Sequence, residues 1–464
     1  MRHPNFISFT PRQATLLALC SLPLLLLYEA HSFVSRTKTV AGHNLDPTPW
    51  HVFPSTSPDQ QSTLSRASTI VRCTYLVCSD DNDDNKNLPP DMVGPTKIER
   101  PNKCPSFFQN IRADLSPWEA TGISSNHVAE ARKHAAFRVV IVGGALYVDF
   151  YYACVQSRAM FTVWGILQLL RRYPSRVPDV DMMFDCMDKP TINRTVHADV
   201  PLPLFRYCTT SQHFDIPFPD WSFWGWSEIN IGPWEEEFKR IKEGSRRRRW
   251  VSKRPFAYWK GNPDVVSPVR TQLLECNDTQ KWNAQIMRQD WGAAARGGFE
   301  DSKLAKQCAH RYKIYAEGYA WSVSMKYILS CGSCTLIIAP QYQDFFSRGL
   351  APHVHYLPIP SEDICPAIKF AVDWGNSYPS EAESIGRAGQ EFMAGLTMDR
   401  VYDYMYHLLV KYSSLQRFEP ARPSSAARVC EESVLCFADE KQKEWLQRSV
   451  ASRAFDPPCS MDVS

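Results

Sequence analysis

Two stretches of this 464-residue chain place a cation early in a helix that follows a strand and a glycine turn. The first leads from Arg254 through Phe256, Tyr258, Trp259, Gly261 and Asn262 to Ser267-Pro-Val-Arg270. The second leads from Tyr312 through Glu317, Gly318, Tyr319, Trp321, Ser322 and Ser324 to Lys326. A helix start exposes unpaired N–H groups and a partial positive charge, which suits a phosphate or pyrophosphate. Ser267 is a favoured N-cap and Pro268 a favoured first helical residue, so Arg270 falls at the third position. A cation there opposes the helix dipole unless an anion is close, which points to a diphosphate. The alternative is an exposed Arg270 paired with a surface acid such as Asp264. In the second stretch Gly318 permits a tight turn, Ser322 or Ser324 can cap, and Lys326 enters the helix early. Trp321 or Tyr319 can stack on a base or sugar ring, or else pack on a sheet. Two such stretches in one half of a chain imply a nucleotide-sugar site.

Transfer from such a donor needs a base, and Asp188 has the right position. It follows a strand expected over 180–186, and ligands of open α/β sheets gather at the C-terminal ends of strands. A carboxylate there can take the proton of an acceptor hydroxyl, although Asp before Lys-Pro is also an ordinary turn residue. The aromatic loop 220–226 offers Trp221, Trp224 and Trp226 as a face for the acceptor. Three other motifs point away from the chemistry. Asp179-Val-Asp181 has Asp-x-Asp manganese spacing but opens a strand far from either phosphate loop, so no metal site is expected. Cys331-Gly-Ser-Cys334 lacks the second pair that zinc needs and reads as a disulfide or a buried thiol. The arginines at 246–249 read as a solvated surface run.

These residues need rigid elements to hold them. Strands are expected at 137–142, bounded by Gly143-Gly144, and at 180–186, with a helix over 161–172 between them. After a helix at 234–242 and a charged hinge, strands at 256–259, 312–317 and 335–338 alternate with helices at 267–274 and 322–330. The repeated strand-helix-strand order predicts parallel sheets in both halves, hence an α/β chain with two Rossmann-like domains facing each other across a cleft. The expected boundaries are 101–245 for an acceptor domain, 246–420 for a nucleotide-sugar domain, and 421–464 for a C-terminal tail. Helical patterning over 380–415 would cover the second sheet or cross back to the first.

A hydrophobic fraction of 44% and 12% aromatic residues are ample for real cores. The net charge of +3, from 52 basic and 49 acidic residues, gives no argument for nucleic acid as a partner. Arg2, His3 and Arg12 precede an apolar run over 14–27, which fits a signal-peptide core or a short signal anchor. No small-x-small cleavage site follows it cleanly, so residues 1–35 are expected to be a cytosolic tail and type II anchor. Residues 36–100, rich in Ser, Thr, Pro, Asp and Asn, read as a stem in which Cys73 and Cys78 can close a loop. Of fifteen cysteines only Cys20 lies in the apolar run, leaving an even number for an oxidising lumen. Asn193-Arg-Thr195 and Asn277-Asp-Thr279 are glycosylation sequons and agree with a secretory-pathway protein.

These motifs together resemble glycosyltransferase family 90, which holds the Rumi-type protein O-glucosyltransferases and the fungal capsule-associated proteins, and the chain closely resembles its plant branch. The likeness spans about 104–415 and is sharpest at 161–190, 220–226, 256–274, 308–338 and 344–359. It implies a GT-B fold and an inverting, metal-independent transfer from a UDP-sugar, glucose or xylose foremost, with no cofactor. The family's Pro-Asp-x8-Asp-x-Pro segment matches residues 178–190 and would make Asp188 the catalytic base. Its Ser-Pro-x-Arg matches Ser267, Pro268 and Arg270, so Arg270 would neutralise the diphosphate. Animal members carry Arg where this chain has Ser324, and Gly-Ser-Arg-Thr where it has Gly261-Asn-Pro-Asp, while Lys326 is retained. The acceptor is thus a protein or a glycan hydroxyl. The alternatives are a polysaccharide-directed xylosyltransferase and an inactive luminal glycan-binding protein. The chain ends Met-Asp-Val-Ser, without a KDEL-type signal, which favours the Golgi membrane over the ER.

Overall fold

The computed structural model describes Cys78 and residues 102–461, all within one compact unit, Pro49–Ser464. The expected anchor, and the expected stem apart from Cys78, lie outside the described residues. No described helix is long and apolar enough to cross a membrane.

The first sheet is built on β1 (Phe137–Val142), β2 (Ala145–Phe150), β3 (Val180–Phe184), β4 (Leu204–Arg206) and β5 (Ile216–Pro217). β1 pairs antiparallel with β2 and β3, whereas β3, β4 and β5 run parallel. This mixed sheet corrects the expectation of parallel strands in both halves. Gly143 and Gly144 take φ values of 58° and 77°, the left-handed region that a two-residue hairpin turn requires. The glycine pair therefore reverses the chain instead of leading into a crossover.

The second sheet contains β6 (Arg254–Gly261), β7 (Ala284–Arg288), β8 (His310–Tyr315), β9 (Cys334–Ile338) and β10 (Leu357–Ile359), in the order β10-β9-β8-β6-β7. Every pair in it is parallel, as expected. Helices Ile364–Ser377 and Pro379–Gly395 pack on this sheet and bury its apolar strands. Gly261 ends β6, Glu317 lies just past β8, and residues 339–343 follow β9. All three loops therefore leave the same, C-terminal, edge of a parallel sheet.

The end of the chain corrects the expected boundaries. Residues 421–461 are no tail, for β11 (Ala427–Val429) pairs antiparallel with β2 at the edge of the first sheet. Helix Met398–Leu415 likewise leaves the second sheet, packing on helices Asn110–Leu115 and Arg158–Arg172 and on β3. Its Val401, Met405, Leu408 and Tyr412 recur at helical spacing and are fully buried. Disulfides Cys78–Cys430 and Cys104–Cys459 tie this end to the start of the folded region, so Cys78 does not close a loop with Cys73. Cys154–Cys186, Cys276–Cys365 and Cys308–Cys331 complete the bridges between described cysteines, and Cys208 and Cys334 are buried thiols. The Cys331-Gly-Ser-Cys334 pair is thus one disulfide half and one thiol.

β8 carries one costly residue. Lys313 is 3% exposed, with its Nζ on Gln307 Oε1 at 2.9 Å and over the Tyr258 ring. Burial, aided by the nearby Lys253 cation, pulls its ammonium down to about 7. An unfolded lysine keeps its proton up to about pH 10, so folding releases a proton throughout the window between these values. Stability is therefore highest above that window and falls as pH drops through it to about 7, where the whole penalty is present. Lys313→Met is expected to melt higher than wild type, by a margin that widens from pH 10 to pH 7 and then holds. Thermal melting across that range checks it; a margin independent of pH would contradict the buried neutral amine.

Candidate active site

The capping pattern read from Ser267-Pro-Val-Arg270 is present in the fold. Ser267 caps helix Pro268–Leu274, accepting the Arg270 N–H at 3.4 Å and donating its Oγ to Glu317 O at 2.9 Å. The Arg270 side chain turns inward and is 9% exposed. Its Nη1 donates to Asn262 O at 2.7 Å, and its Nε and Nη2 to Ala316 O at 3.4 and 3.2 Å. Nη2 also reaches Ser322 Oγ at 3.4 Å, and the guanidinium stacks over Trp259. Among the described residues no carboxylate lies within ion-pairing distance. Asp264, the surface acid offered as its alternative partner, is bound to Arg288 instead. Burial pulls the Arg270 guanidinium below its ordinary value, opposed by Tyr315, Asp188 and Glu317 at longer range. A buried cation with carbonyl, hydroxyl and aromatic partners but no carboxylate has its charge uncompensated, so an anion would be a favourable partner.

Gly261 and Asn262 serve this arginine through the strand end and the Asn262 carbonyl. Gly318 serves it by absence, since a Cβ at that position would lie 3.1 Å from Arg270 Nη2. Glu317 is buried and accepts the N–H groups of Gln341 and Tyr342 at 3.0 and 2.8 Å. Burial pushes its carboxyl up to about 7, and those two bonds hold it back. A cavity of about 1110 Å³ opens here, lined by Ser267, Glu317, Gly318 and Tyr319 on one side and by Trp282 and Asp363 on the other.

Several expected contacts fall elsewhere. The N-cap of helix Ser324–Leu329 is Val323; Ser322 Oγ accepts the Ser324 N–H at 3.4 Å, and the two serine hydroxyls bond each other at 2.8 Å. Lys326 is 1% exposed and bound to Asp220 Oδ2 at 3.0 Å, so it locks the aromatic loop to this helix instead of offering a free cation. Trp321 is buried against Tyr207 and Trp221, leaving Tyr319 as the exposed aromatic of that loop. Trp221 and Trp224 are buried too and offer no face to an acceptor. Trp224 donates to Tyr402 Oη at 3.0 Å, with its ring where a Cβ at Gly165 would be. Trp226 is half-buried, its Nε1 on Gln156. Of the sequons, Asn277 is exposed and Asn193 half-buried, its Oδ1 bonded to Thr195.

Asp188 lies past the end of β3, with a side chain 32% exposed. Arg158 Nη1 donates to its Oδ1 at 2.6 Å and to Cys186 O at 3.0 Å, while the guanidinium covers the Trp221 ring. Oδ2 takes no hydrogen bond among the described residues. The Cys154–Cys186 disulfide pins the same loop. Lys189 reaches 4.1 Å from the centre of the Tyr319 ring, so the loop carrying Asp188 meets the loop flanking Arg270. Sequence reasoning missed Arg158 because its partner is 30 residues away with no local signature. The Asp-x-Asp pair is committed elsewhere: Asp181 is bound to Arg138, and Asp179 accepts Gly143 N–H. Among the described residues the one trio with metal-ligand spacing is Cys104, His407 and Cys459, and its two sulfurs form a disulfide.

The arrangement has relatives. The sequence profile of glycosyl transferase family 90 matches residues 99–464. The O-glucosyltransferase rumi of Drosophila melanogaster is 24% identical over 335 residues, covering 68% of this chain and 78% of that protein. The O-glucosyltransferase rumi homolog of Anopheles gambiae is 26% identical, over 70% and 82% respectively. Protein O-glucosyltransferase 1 of Homo sapiens is 25% identical, over 69% and 82%. A profile that spans most of the chain, together with relatives aligned over most of their own length, shows that this chain belongs to glycosyl transferase family 90 and is a glycosyltransferase, moving sugar from a donor to a hydroxyl acceptor.

Proposed function

We propose that the donor is a UDP-sugar, that the transfer is inverting and needs no metal ion, and that it takes place in the lumen of the secretory pathway. The observation that carries this reading is Arg270, a buried cation without a carboxylate partner among the described residues, packed directly behind Ser267 and Gly318, which line a cavity large enough for a nucleotide sugar. In the proposed step the acceptor oxygen attacks the anomeric carbon from the face opposite the nucleotide. Its proton passes to Asp188 Oδ2, and the bond from carbon to the diphosphate oxygen breaks, the electron pair leaving with UDP. Arg270 stabilises the charge that develops on the leaving diphosphate. Asp188 and Arg270 sit on loops of different sheets that meet at Lys189 and Tyr319. This contact supports a reading in which base and leaving-group cation act on one sugar, as they would in a GT-B cleft.

Metal independence is supported by a fixed cation at the diphosphate and by Asp179 and Asp181 being bonded within the protein. Five disulfides between described cysteines agree with an oxidising lumen, and the Golgi membrane remains the proposed location. Glucose and xylose are the proposed sugars, the first because the relatives are named O-glucosyltransferases. The test is UDP release from UDP-glucose, UDP-xylose and UDP-galactose by the protein expressed in a secretory host, with and without EDTA. Release from one donor that survives EDTA is expected. Release abolished by EDTA would overturn metal independence, and a protein that neither binds nor releases UDP would overturn the donor assignment.

A further inference from the structure

A continuous series of contacts links the donor cavity to Asp188 through one residue that the transfer step leaves unused. The consecutive carbonyls of Ala316 and Glu317 seat both donor-side residues: Ala316 O accepts Arg270 Nε and Nη2, and Glu317 O accepts Ser267 Oγ. The Glu317 carboxylate then clamps the loop after β9 through the N–H groups of Gln341 and Tyr342. The next residue, Gln343, forms a two-bond antiparallel bridge with Thr209, both bonds 2.9 Å long. Beside Thr209, the buried Cys208 thiol donates to Asp188 O at 3.2 Å. Glu317, Thr209 and Cys208 are 6%, 5% and 0% exposed, so water does not compete for these bonds.

We propose that Glu317 is a positioning residue that couples occupancy of the donor cavity to the seating of Asp188. The proposal rests on the donor and base assignments above. An anion drawn to Arg270 also bears on Glu317, whose charge acts on that cation and whose neighbour Ala316 accepts its N–H groups, and Glu317 holds the loop from which the Thr209 bridge and the Cys208–Asp188 bond follow. The coupling is carried by packed, bonded backbone and needs no change of fold.

The two parts of the proposal separate in Glu317→Gln. Removing a negative charge near Arg270 favours an anionic ligand. Replacing a carboxylate oxygen by an amide NH₂ takes away an acceptor from the 341–342 backbone and loosens the bridge. UDP is therefore expected to bind the variant as tightly as wild type or more tightly, while UDP release from the preferred donor falls about tenfold. A general loss of structure would weaken both together. Cys208→Ala is expected to lower turnover in the same way, and Cys208→Ser, which keeps a donor for Asp188 O, to restore it. Glu317→Gln combined with Cys208→Ala is expected to cost no more than the larger single effect, because both cut one path. The proposal is overturned by wild-type turnover in either Glu317→Gln or Cys208→Ala, by a parallel loss of UDP binding, or by full additivity in the pair. A wild-type protein that fails to bind UDP overturns the donor assignment and this proposal with it. UDP binding in wild type with unchanged turnover in the variants overturns the coupling alone.

Discussion

Asp188→Asn is expected to lower sugar transfer by about 10²- to 10⁴-fold, the usual contribution of a positioned general base. Asparagine keeps the shape of the side chain and an oxygen that can accept the Arg158 N–H, so the loop pinned by the Cys154–Cys186 disulfide has no reason to move. What it lacks is a second oxygen able to take a proton. Affinity for UDP should stay the same or rise slightly, because Asp188 touches none of the groups that hold Arg270 and its negative charge acts on that cation only at a distance. The measurements are initial rates of UDP release and a UDP titration, made on the same preparation. Turnover at the wild-type rate would remove Asp188 from the role of base and send the search to another carboxylate near Tyr319. Loss of UDP binding along with turnover would mean that Asp188 belongs to the donor cavity.

The pattern of what the sequence reveals follows the range of the interactions. The Ser267 cap and the inward cation at Arg270 are local, encoded within four residues by capping preference and the fixed φ of proline. The parallel second sheet is also legible, because each of its strands is followed by its own crossover. Lys326 looked identical to Arg270 by local rules and behaves differently, since Asp220, 106 residues earlier in the chain, occupies it. Arg158 and Asp188 meet only because the helix that follows β2 and the loop that follows β3 start from the same end of the first sheet. Trp224 and Trp221 of the 220–226 loop are buried against helix Met398–Leu415 and Trp321 respectively, contacts that composition cannot distinguish from a sugar-binding face. One signal was present but misread: Gly143-Gly144 between two apolar runs is hairpin chemistry, and it turns the first sheet mixed. Cysteine pairing joins positions more than 350 residues apart, as in Cys78–Cys430, and no spacing rule predicts it.

Arg270→Met gives the other large effect, in the opposite partition between binding and stability. In the unliganded protein this guanidinium has been taken out of water and meets only carbonyls, a hydroxyl and an aromatic face. Burying a charge in that way costs stability, and the burial that pulls its titration downward is the same cost seen from the protonation side. Methionine fills similar space without the charge, so the unliganded variant is expected to melt at the wild-type temperature or above it. Its UDP affinity is expected to drop about a hundredfold, equivalent to about 3 kcal/mol, as when one partner of a desolvated charge pair is removed. A UDP concentration near a hundred times the wild-type Kd should stabilise the wild type by about 2.7 kcal/mol and the variant by well under 1 kcal/mol. Melting both proteins with and without UDP at that concentration reads the two effects in one experiment. A variant that melts far below wild type without ligand, yet shows the full shift with UDP, would make Arg270 a structural cation. A variant that melts normally and loses the shift identifies strain held in the free protein and released on the donor, which is how a site stores affinity for an anion that leaves again as product.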